Sequence, residues 1–348
     1  MSTRPRPWPS AVLSALLVLS CGLVVAPAAA EVQEAPDAGA VQPCRIRVLP
    51  EPAGLVRATV AAGDPSGRML AGSGIDAGTA HLVRWENRVP RLLDGPSGSF
   101  EVTSVSGSGV VGGYLNVVPN IGFVITAAGH YREVTAPGGG VYVEGVADDG
   151  TVAGSAIFDD RPRPALWKLG AYDSPTILAV PGGHSATVAG MAADGSLAVS
   201  TAMVDSQPLR VYAWTADGDR MRLHGTPGGT ELSVTAIADR YAAGFEWDPD
   251  AGVSRILRWR LPSGRVTAIE SPGPHRSMSV DAVNRHGVIG GQVLDGPPAL
   301  IVGEDLIELP TLAAGFPAGV RSVGSNGQAA GWARDDDQSI HAVRWHCG

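Results

Sequence analysis

The chain has 348 residues, of which 44% are hydrophobic and 17% are charged, and its formal net charge at pH 7 is −8. An acidic balance of this kind argues against nucleic acid and anionic membranes as partners, because both select basic surfaces. We therefore expect no nucleic-acid-binding function.

The first 30 residues have the pattern of a secretory signal peptide. Arg4 and Arg6 form a basic start, residues 11–25 are an apolar run, and residues 28–30 are three alanines that fit a cleavage site. Removing residues 1–30 removes two arginines and no acids, which changes the formal charge from −8 to −10. We expect a secreted protein. The alternatives are an uncleaved membrane anchor and a lipoprotein cleaved before Cys21, although residues 18–21 match the lipid-attachment box imperfectly.

Residues 31–43 are acidic and rich in Ala and Pro, which predicts a flexible linker before the folded part of the chain. Nothing later in the chain is apolar enough to span a bilayer, so we expect no transmembrane segment in the mature protein. Residues 44–348 are interpreted as one domain.

A short apolar strand that ends in Trp recurs along this domain at 81–85, 164–167, 211–214, 256–259 and 341–345, and segments 123–126 and 299–302 occupy two vacant places in the same register. The steps between successive anchors are 41, 41, 47, 45, 43 and 43 residues, a period typical of radially repeated all-β arrays. The anchors are Trp85, Thr126, Trp167, Trp214, Trp259, Val302 and Trp345.

Each repeat contains turn signals that divide it into four short strands. A turn follows the anchor, a Pro/Gly loop follows the second strand, and an Asx-Gly turn such as 148–150 joins the third strand to a fourth one of small residues. Four strands in about 43 residues is the size of one propeller blade, so the sequence predicts an all-β, seven-bladed β-propeller, with six or eight blades as the alternatives. Glycines in the fourth strands, such as Gly154 and Gly331, predict close approach of neighbouring backbones.

The ends of the domain complement each other. The last repeat stops three residues after Trp345 and lacks a second strand, whereas residues 44–50 have the second-strand pattern. Removal of the signal peptide leaves two cysteines, Cys44 and Cys347, one at each side of this splice. Secreted proteins retain disulfides. We therefore predict that these two cysteines form a disulfide that closes the ring.

The repeat resembles that of the bacterial HAF-type extracellular repeat proteins. Their units contain a His-Ala-Phe-Leu-Trp strand preceded by Asn-x-x-Gly-x-Val-Val-Gly, and the best match here is the last unit, at 309–315, 324–331 and 341–345. The resemblance covers residues 45–345 through short, degenerate motifs. It implies a secreted repeat protein and no particular activity. His opens the anchor strand only at His81 and His341, and Val or Leu replaces Phe.

No catalytic signature is found in the chain. There is no His-Glu-x-x-His pair, no Gly-x-Ser-x-Gly elbow, no phosphate-binding loop and no dinucleotide fingerprint. The anchor tryptophans recur within apolar strands, which favours packing between blades over sugar stacking. Three further aromatic residues follow the fourth-strand glycine where other repeats have Ser or Gln, and they are candidates either for specificity or for filling the core: Tyr114, Phe245 and Trp332.

An acidic residue lies seven to nine positions before the anchor in every repeat except the second, which has Asn120 instead. In a propeller these loops share one face, so they would form an acidic rim that attracts a cationic partner or holds calcium; ordinary turn formation by Asp is the alternative interpretation. We expect no cofactor, and no metal other than calcium is considered. The candidate rim residues are Asp76, Asp160, Asp205, Asp250, Asp295 and Asp336.

These observations favour a secreted, monomeric binding module that contacts an extracellular protein or glycan, or a component of the cell envelope, through its rim loops. One alternative is a hydrolase or lyase that acts on an extracellular polysaccharide or ester with carboxylates from different blades, since propellers also support such chemistry. Another is a structural protein of the cell envelope, tethered through residues 31–43.

Overall fold

The computed structural model describes residues 44–347, apart from residues 182–184, 202–208, 228, 230, 249–251, 262 and 271–276. The predicted signal peptide and linker lie outside the described residues. The described part of the chain is all-β: it forms no α-helix, and it has no helix long and apolar enough to cross a membrane.

In the described residues, twenty-eight strands form seven four-stranded antiparallel sheets, the blades, around a central channel. The strands next to the channel are β2 (Arg57–Gly63), β6 (Phe100–Val105), β10 (Val141–Val146), β14 (Ala186–Met191), β18 (Glu231–Ala238), β22 (Ala282–Val283) and β26 (Ala318–Val323). The second strands are β3 (Met69–Asp76), β7 (Val111–Leu115), β11 (Val152–Phe158), β15 (Leu197–Thr201), β19 (Tyr241–Asp248), β23 (Ile289–Gln292) and β27 (Gln328–Arg334).

The two outer layers complete each blade. The third strands are β4 (Thr79–Glu86), β8 (Ile121–Ile125), β12 (Arg161–Trp167), β16 (Val211–Trp214), β20 (Val253–Arg260), β24 (Pro298–Val302) and β28 (Ile340–His346). The outermost strands are β5 (Val89–Leu93), β9 (Tyr131–Val134), β13 (Thr176–Ile177), β17 (Arg220–Leu223), β21 (Arg265–Ile269), β25 (Asp305–Glu308) and β1 (Arg45–Val48). The predicted seven-bladed propeller is therefore confirmed.

The seventh blade is assembled from both ends of the domain. Its three inner strands are the last three of the chain, and its outermost strand is the first, with Arg45 opposite His346 and Val48 opposite Val343. Cys44 and Cys347 are bonded beside this pair, with 4.1 Å between their Cα atoms. The predicted splice and the predicted disulfide are both confirmed, and the ring is closed by backbone hydrogen bonds and by a covalent bond.

The anchor tryptophans join neighbouring blades. Trp85, Trp167, Trp259 and Trp345 are fully buried, and each Nε1–H donates to a carbonyl just after the outermost strand of the preceding blade, at 2.7–2.9 Å. Trp85 of the first blade reaches Pro50 in this way, beyond the outermost strand of the seventh. Such a buried indole adds a hydrogen bond to its apolar contacts. The interpretation of these residues as packing between blades is confirmed.

The arginine before three of these tryptophans connects to the blade on the other side. Each guanidinium group donates a hydrogen bond to a carbonyl oxygen in the next blade, in the turn between its innermost and second strands. The pairs are Arg84 with Gly109, Arg258 with Gly287 and Arg344 with Gly67. Burial is the main reason why the pKa values of Arg84 and Arg344 lie below their usual range. An Arg-Trp pair therefore attaches one blade to both of its neighbours.

Two of the predicted anchors are wrong by one residue. The pairing of second and third strands places Ile125, opposite Val111, and Ile301, opposite Ile289, where other blades have Trp. Both isoleucines are buried, whereas Val302 is 42% exposed and Thr126 begins the following turn. The anchor is the residue that is buried between two blades. These two repeats contain no Trp, so the apolar pattern of the sequence did not determine which residue of the strand takes that position.

Candidate functional site

Six of the seven innermost strands contain a β-bulge at the same place. The pairing with the second strand shifts by one residue around Ala61, Thr103, Glu144, Ala189, Thr235 and Arg321. In the sixth blade Asp281 occupies the same position, between Val280 and Ala282, and its N–H donates to Gly290 O. A bulge leaves one residue outside the ladder and re-aims its side chain. We call these seven residues the bulge ring.

In several blades the second strand has a glycine where it comes very close to the innermost one, although blade 4, which is also bulged, has Val199 at this position. A methyl group added at Gly154 would overlap the carbonyl oxygen of Tyr142, and one added at Gly331 would overlap that of Gly319. Only a residue without Cβ fits at these two positions. The fourth strand of each sequence repeat is the second strand of a blade, so the interpretation of its glycine as a point of close approach is confirmed.

All members of the bulge ring except Ala61 line one cavity of about 150 Å³ in the central channel. Most of the polar members are bonded to the next or the preceding blade. The hydroxyl of Thr103 donates to Val143 O at 2.8 Å, and that of Thr235 donates to Val280 O at 2.7 Å. Arg321 Nη1 lies 3.1 Å from Asp281 Oδ1, so these two charges neutralise each other.

Glu144 is the exception in the bulge ring. Its carboxyl group makes no hydrogen bond or ion pair with any residue that the structure describes, although it lines the cavity. Burial raises the pKa of Glu144 to about 7, and the negative charge of Glu101 adds to the effect. A carboxyl group in this position is available to a ligand and changes its charge near neutral pH.

Two tyrosines lie in the neighbourhood of Glu144 but do not line the cavity. The hydroxyl of Tyr114 donates to Glu101 Oε2 at 2.7 Å, and the Tyr114 ring meets the ring of Tyr142 edge to face with 5.1 Å between centroids. Burial, and then the hydrogen bond to Glu101, raise the pKa of Tyr114 above its usual range, and the charge of Glu144 contributes too. We call Glu101, Tyr114, Tyr142 and Glu144 the carboxylate–tyrosine cluster; it joins blades 2 and 3.

The three predicted aromatic residues are not brought together. Each is the cross-strand partner of the residue two positions before the bulge: Tyr114 lies opposite Glu101, Phe245 opposite Ser233 and Trp332 opposite Gly319. A Cβ at Gly319 would lie only 2.9 Å from Trp332 Nε1, so the indole occupies the space that this glycine leaves open. They belong to blades 2, 5 and 7, and any shared ligand would have to span the channel.

Phe245 and Asp295 line one open pocket of about 910 Å³ between blades 5, 6 and 7. Phe245 also packs against the buried core between blades 5 and 6, while Leu294, beside Asp295, is 60% exposed. The pocket opens on the face that carries the turns between second and third strands and the Pro/Gly loops; we call this the rim face. Its apolar lining includes Met278 and Phe316.

The predicted rim residues that the structure describes occupy separate turns of the rim face. Asp160 and Asp295 have positive φ angles of 57° and 54°, a backbone region that Asp tolerates better than most residues. Asp336 is exposed and makes no bond of its own in the described structure. Asp205 and Asp250 lie outside the described residues.

In two of the acidic turns, an aspartate side chain contacts the histidine at the start of the following anchor strand. Asp76 Oδ1 lies 2.9 Å from His81 Nε2, and Asp335 Oδ2 lies 2.8 Å from His341 Nε2. Glu51 Oε1 lies 3.5 Å from the other ring nitrogen of His341. The hydrogen bond from His341 lowers the pKa of Asp335. No group of three or more His, Cys, Asp or Glu side chains in the described ranges is close enough to hold a metal ion, and the calcium alternative stays a prediction.

Comparison with known proteins identifies the fold alone. No family of known sequences matches the chain, and no curated protein matches it, so the resemblance to HAF-type repeats stays a prediction. Among solved structures, the chain is similar to a streptogramin B lyase, with a TM-score of 0.56 and 12% identity over 88% of this chain and 98% of that one.

A second similar structure is the β-propeller domain of the trilobed protease from Pyrococcus furiosus, with a TM-score of 0.61 and 8% identity over 84% of this chain and 95% of that one. A catalytically inactive virginiamycin B lyase from Staphylococcus aureus with quinupristin gives a TM-score of 0.55 and 13% identity over 87% and 99%. At these identities the similarity supports the propeller architecture and nothing further about the chemistry.

Proposed function

We propose that this protein is a secreted binding module that holds an extracellular or cell-envelope partner on its rim face. The observation that carries the proposal is the pocket between blades 5, 6 and 7, which joins an aromatic residue and a carboxylate, Phe245 and Asp295, that the sequence offered separately. A concave, mainly apolar pocket with a few polar groups is the usual form of a binding site.

The chemistry of the pocket indicates what its partner presents. Apolar side chains at Met278, Leu294 and Phe316 favour an apolar group, and Asp295 is the one charged residue among the described lining. Gln292 and Thr311 add hydrogen-bonding groups at the edge. A partner that places an apolar side chain beside a hydrogen-bond donor or a cation fits this arrangement. The acidic turns elsewhere on the rim face would attract the same partner from solution.

A hydrolase or lyase is the second candidate function. One observation favours it: carboxyl groups from blades 3 and 6, those of Glu144 and Asp281, line the same central cavity. Similar propellers include a lyase and a protease domain. However, Asp281 is already paired with Arg321, which removes it as a free acid or base. We therefore place binding ahead of catalysis.

The proposal is tested by sedimenting the mature, disulfide-bonded protein with the envelope fraction of the producing cell. Asp295→Asn and Leu294→Ala change exposed pocket residues without disturbing the core, and each is expected to weaken binding about fivefold to tenfold through loss of one polar or apolar contact. The matched control is Glu133→Gln, which removes an exposed carboxyl group on the outermost strand of blade 2, outside the acidic turns. Equal binding by all four proteins would overturn the pocket as the site.

A further inference from the structure

We propose that the rim face has a second binding site, which takes an organic carboxylate and lies in a pocket between blades 7 and 1. Arg57 and Arg334 bind the carboxylate group, and the apolar side chains beside them contact the body of the ligand. The pocket is separate from the one between blades 5, 6 and 7. The proposal does not rest on the function proposed for that pocket, and its test uses no envelope partner.

The pocket has a volume of about 440 Å³ and is formed where blade 1 packs against blade 7. Blade 1 contributes its innermost strand, β2, and the turn between its second and third strands at Gly78. Blade 7 contributes the corresponding turn, at Gln338 and Ser339. Both turns belong to the rim face, so the pocket opens on that face. A volume of this size admits a carboxylic acid of several carbon atoms.

Each of the two blades places an arginine next to an isoleucine in the wall of this pocket. Arg57 on β2 is the cross-strand partner of Ile75, and Arg334 on β27 is the cross-strand partner of Ile340. All four residues line the pocket, together with Val56. A guanidinium group binds a carboxylate through two parallel hydrogen bonds, and the aliphatic side chains offer contact to carbon atoms. This combination fits an organic carboxylate better than an inorganic anion, which has no apolar part.

The two arginines of the pocket have no counter-charge in the described structure. Neither side chain makes a hydrogen bond or an ion pair with any residue that the structure describes, and the Nε–H group of Arg334 is also shielded from water. Other arginines of the fold are compensated: Arg321 is paired with Asp281, and Arg344 donates to the carbonyl oxygen of Gly67. A partly desolvated cation without an acceptor costs free energy, and an anion in the pocket offsets that cost.

The carboxylates of the two turns do not supply this counter-charge. Asp335, next to Arg334, accepts hydrogen bonds from two backbone N–H groups of its own turn and lies 2.8 Å from His341 Nε2. Asp76 contacts His81 in the same way, at 2.9 Å. The described lining of the pocket therefore contains two positive residues and no negative one. The remaining carboxylates of the blade 7 turn are exposed and do not line the pocket: Asp336 and Asp337.

The test is isothermal titration of the mature, oxidised protein with sodium hexanoate at pH 7 and low ionic strength. We expect saturable binding, and binding at least about tenfold weaker for hexanamide, the neutral analogue, and for sodium sulfate, which has no apolar part. Arg57→Gln and Arg334→Gln are each expected to weaken hexanoate binding about tenfold, because each removes one charged donor group. Arg222→Gln, an exposed arginine on the outermost strand of blade 4, is the matched control and is expected to bind as the wild type does.

A variant of the apolar wall tests the other half of the site. Val56 is 67% exposed, so Val56→Ser leaves the core intact, and it is expected to weaken hexanoate binding about threefold. The proposal is overturned if the wild-type protein shows no saturable binding of hexanoate, if sulfate binds as tightly, or if both arginine variants bind like the wild type. Binding that is lost in Leu294→Ala but kept in both arginine variants would assign hexanoate to the other pocket and would also overturn it.

Discussion

One residue position on each innermost strand determines the chemistry of the channel. It follows a valine and precedes a small residue in all seven repeats, as in Val143-Glu144-Gly145 and Val280-Asp281-Ala282. The register shifts between the valine and the small residue, and the residue between them varies from Ala to Thr, Glu, Asp and Arg. Variation at a fixed position of a constant scaffold is where binding specificity is expected.

Glu144 makes a measurable contribution to the pH dependence of stability. Its pKa is raised from 4.5 to about 7 in the folded protein, so the folded state binds this proton more tightly than the unfolded chain does. The stabilisation is complete below pH 4.5 and is lost as the pH rises through 7. Glu144→Gln does not ionise, so we expect the variant to be more stable than the wild type at pH 8, by up to about 3 kcal/mol, and little different at pH 4.

Urea unfolding at pH 4 and pH 8, followed by tryptophan fluorescence without reductant, measures this difference. Glu133→Gln, which changes an exposed carboxyl group, is expected to follow the wild type at both pH values. A stability difference between wild type and Glu144→Gln that is the same at pH 4 and pH 8 would contradict the account.

The residues of the site were only partly predictable. The sequence singled out Tyr114 because it departs from Ser at a repeated position. Glu101 meets Tyr114 through strand pairing within blade 2, and Glu144 comes near only because blade 3 packs against blade 2. The signal that could have located Glu144 is the recurring Val-x-small pattern. It was hidden because a bulge breaks the strict alternation by which innermost strands are recognised.

At the scale of the strand, the glycine of a second strand makes room for a carbonyl group of the innermost strand. A Cβ on Gly331 would lie only 1.9 Å from the carbonyl oxygen of Gly319. Gly331→Ala is therefore expected to destabilise the protein by about 1–3 kcal/mol through overpacking. Thermal unfolding measures the effect, and the same result is expected for Gly154→Ala in blade 3.

Gly190→Ala is the matched control for the strand prediction. Gly190 also lies in a bulged pair, but the nearest atom to a Cβ at this position is 3.4 Å away, an ordinary contact. We expect a small change in melting temperature, or none. If Gly190→Ala and Gly331→Ala destabilise equally, the loss is a general cost of removing glycine, and the close approach is not its cause.

The repeat strands could be predicted from sequence because each has a local signal: an Asx-Gly turn before the fourth strand, Gly within that strand and Trp at the end of the anchor strand. The connections made by Arg84 and Arg344 were not predictable, since the arginine and the carbonyl group that it binds belong to different blades. The anchors of blades 2 and 6 were misplaced because an apolar run without Trp fits two registers equally well.

At the scale of the molecule, the ring depends on its closure. The first and last strands of the domain pair in one blade, and the disulfide joins residues 303 positions apart. The chain-entropy description gives about 5–6 kcal/mol for a loop of this length as an upper figure. Replacing Cys44 and Cys347 together by Ser is expected to lower the free energy of unfolding by about 2–5 kcal/mol. Urea unfolding under non-reducing conditions measures it.

Reduction supplies the control for the closure. A reductant is expected to shift the unfolding midpoint of the wild type to that of the Cys44→Ser, Cys347→Ser variant and to leave the variant unchanged. If the wild type and the double variant unfold at the same urea concentration, the disulfide does not stabilise the ring. This part of the fold was predictable from the sequence pattern alone. The last repeat lacks a strand that the first residues of the domain supply, and the two cysteines flank this splice.

The central claim, that this propeller works by binding, is tested most directly by sedimenting increasing amounts of the wild-type mature protein with the envelope fraction of its producing cell. The account predicts saturable binding that weakens as salt screens the acidic rim face. No binding at any concentration, together with turnover of an envelope polysaccharide or ester by the purified protein, would contradict it.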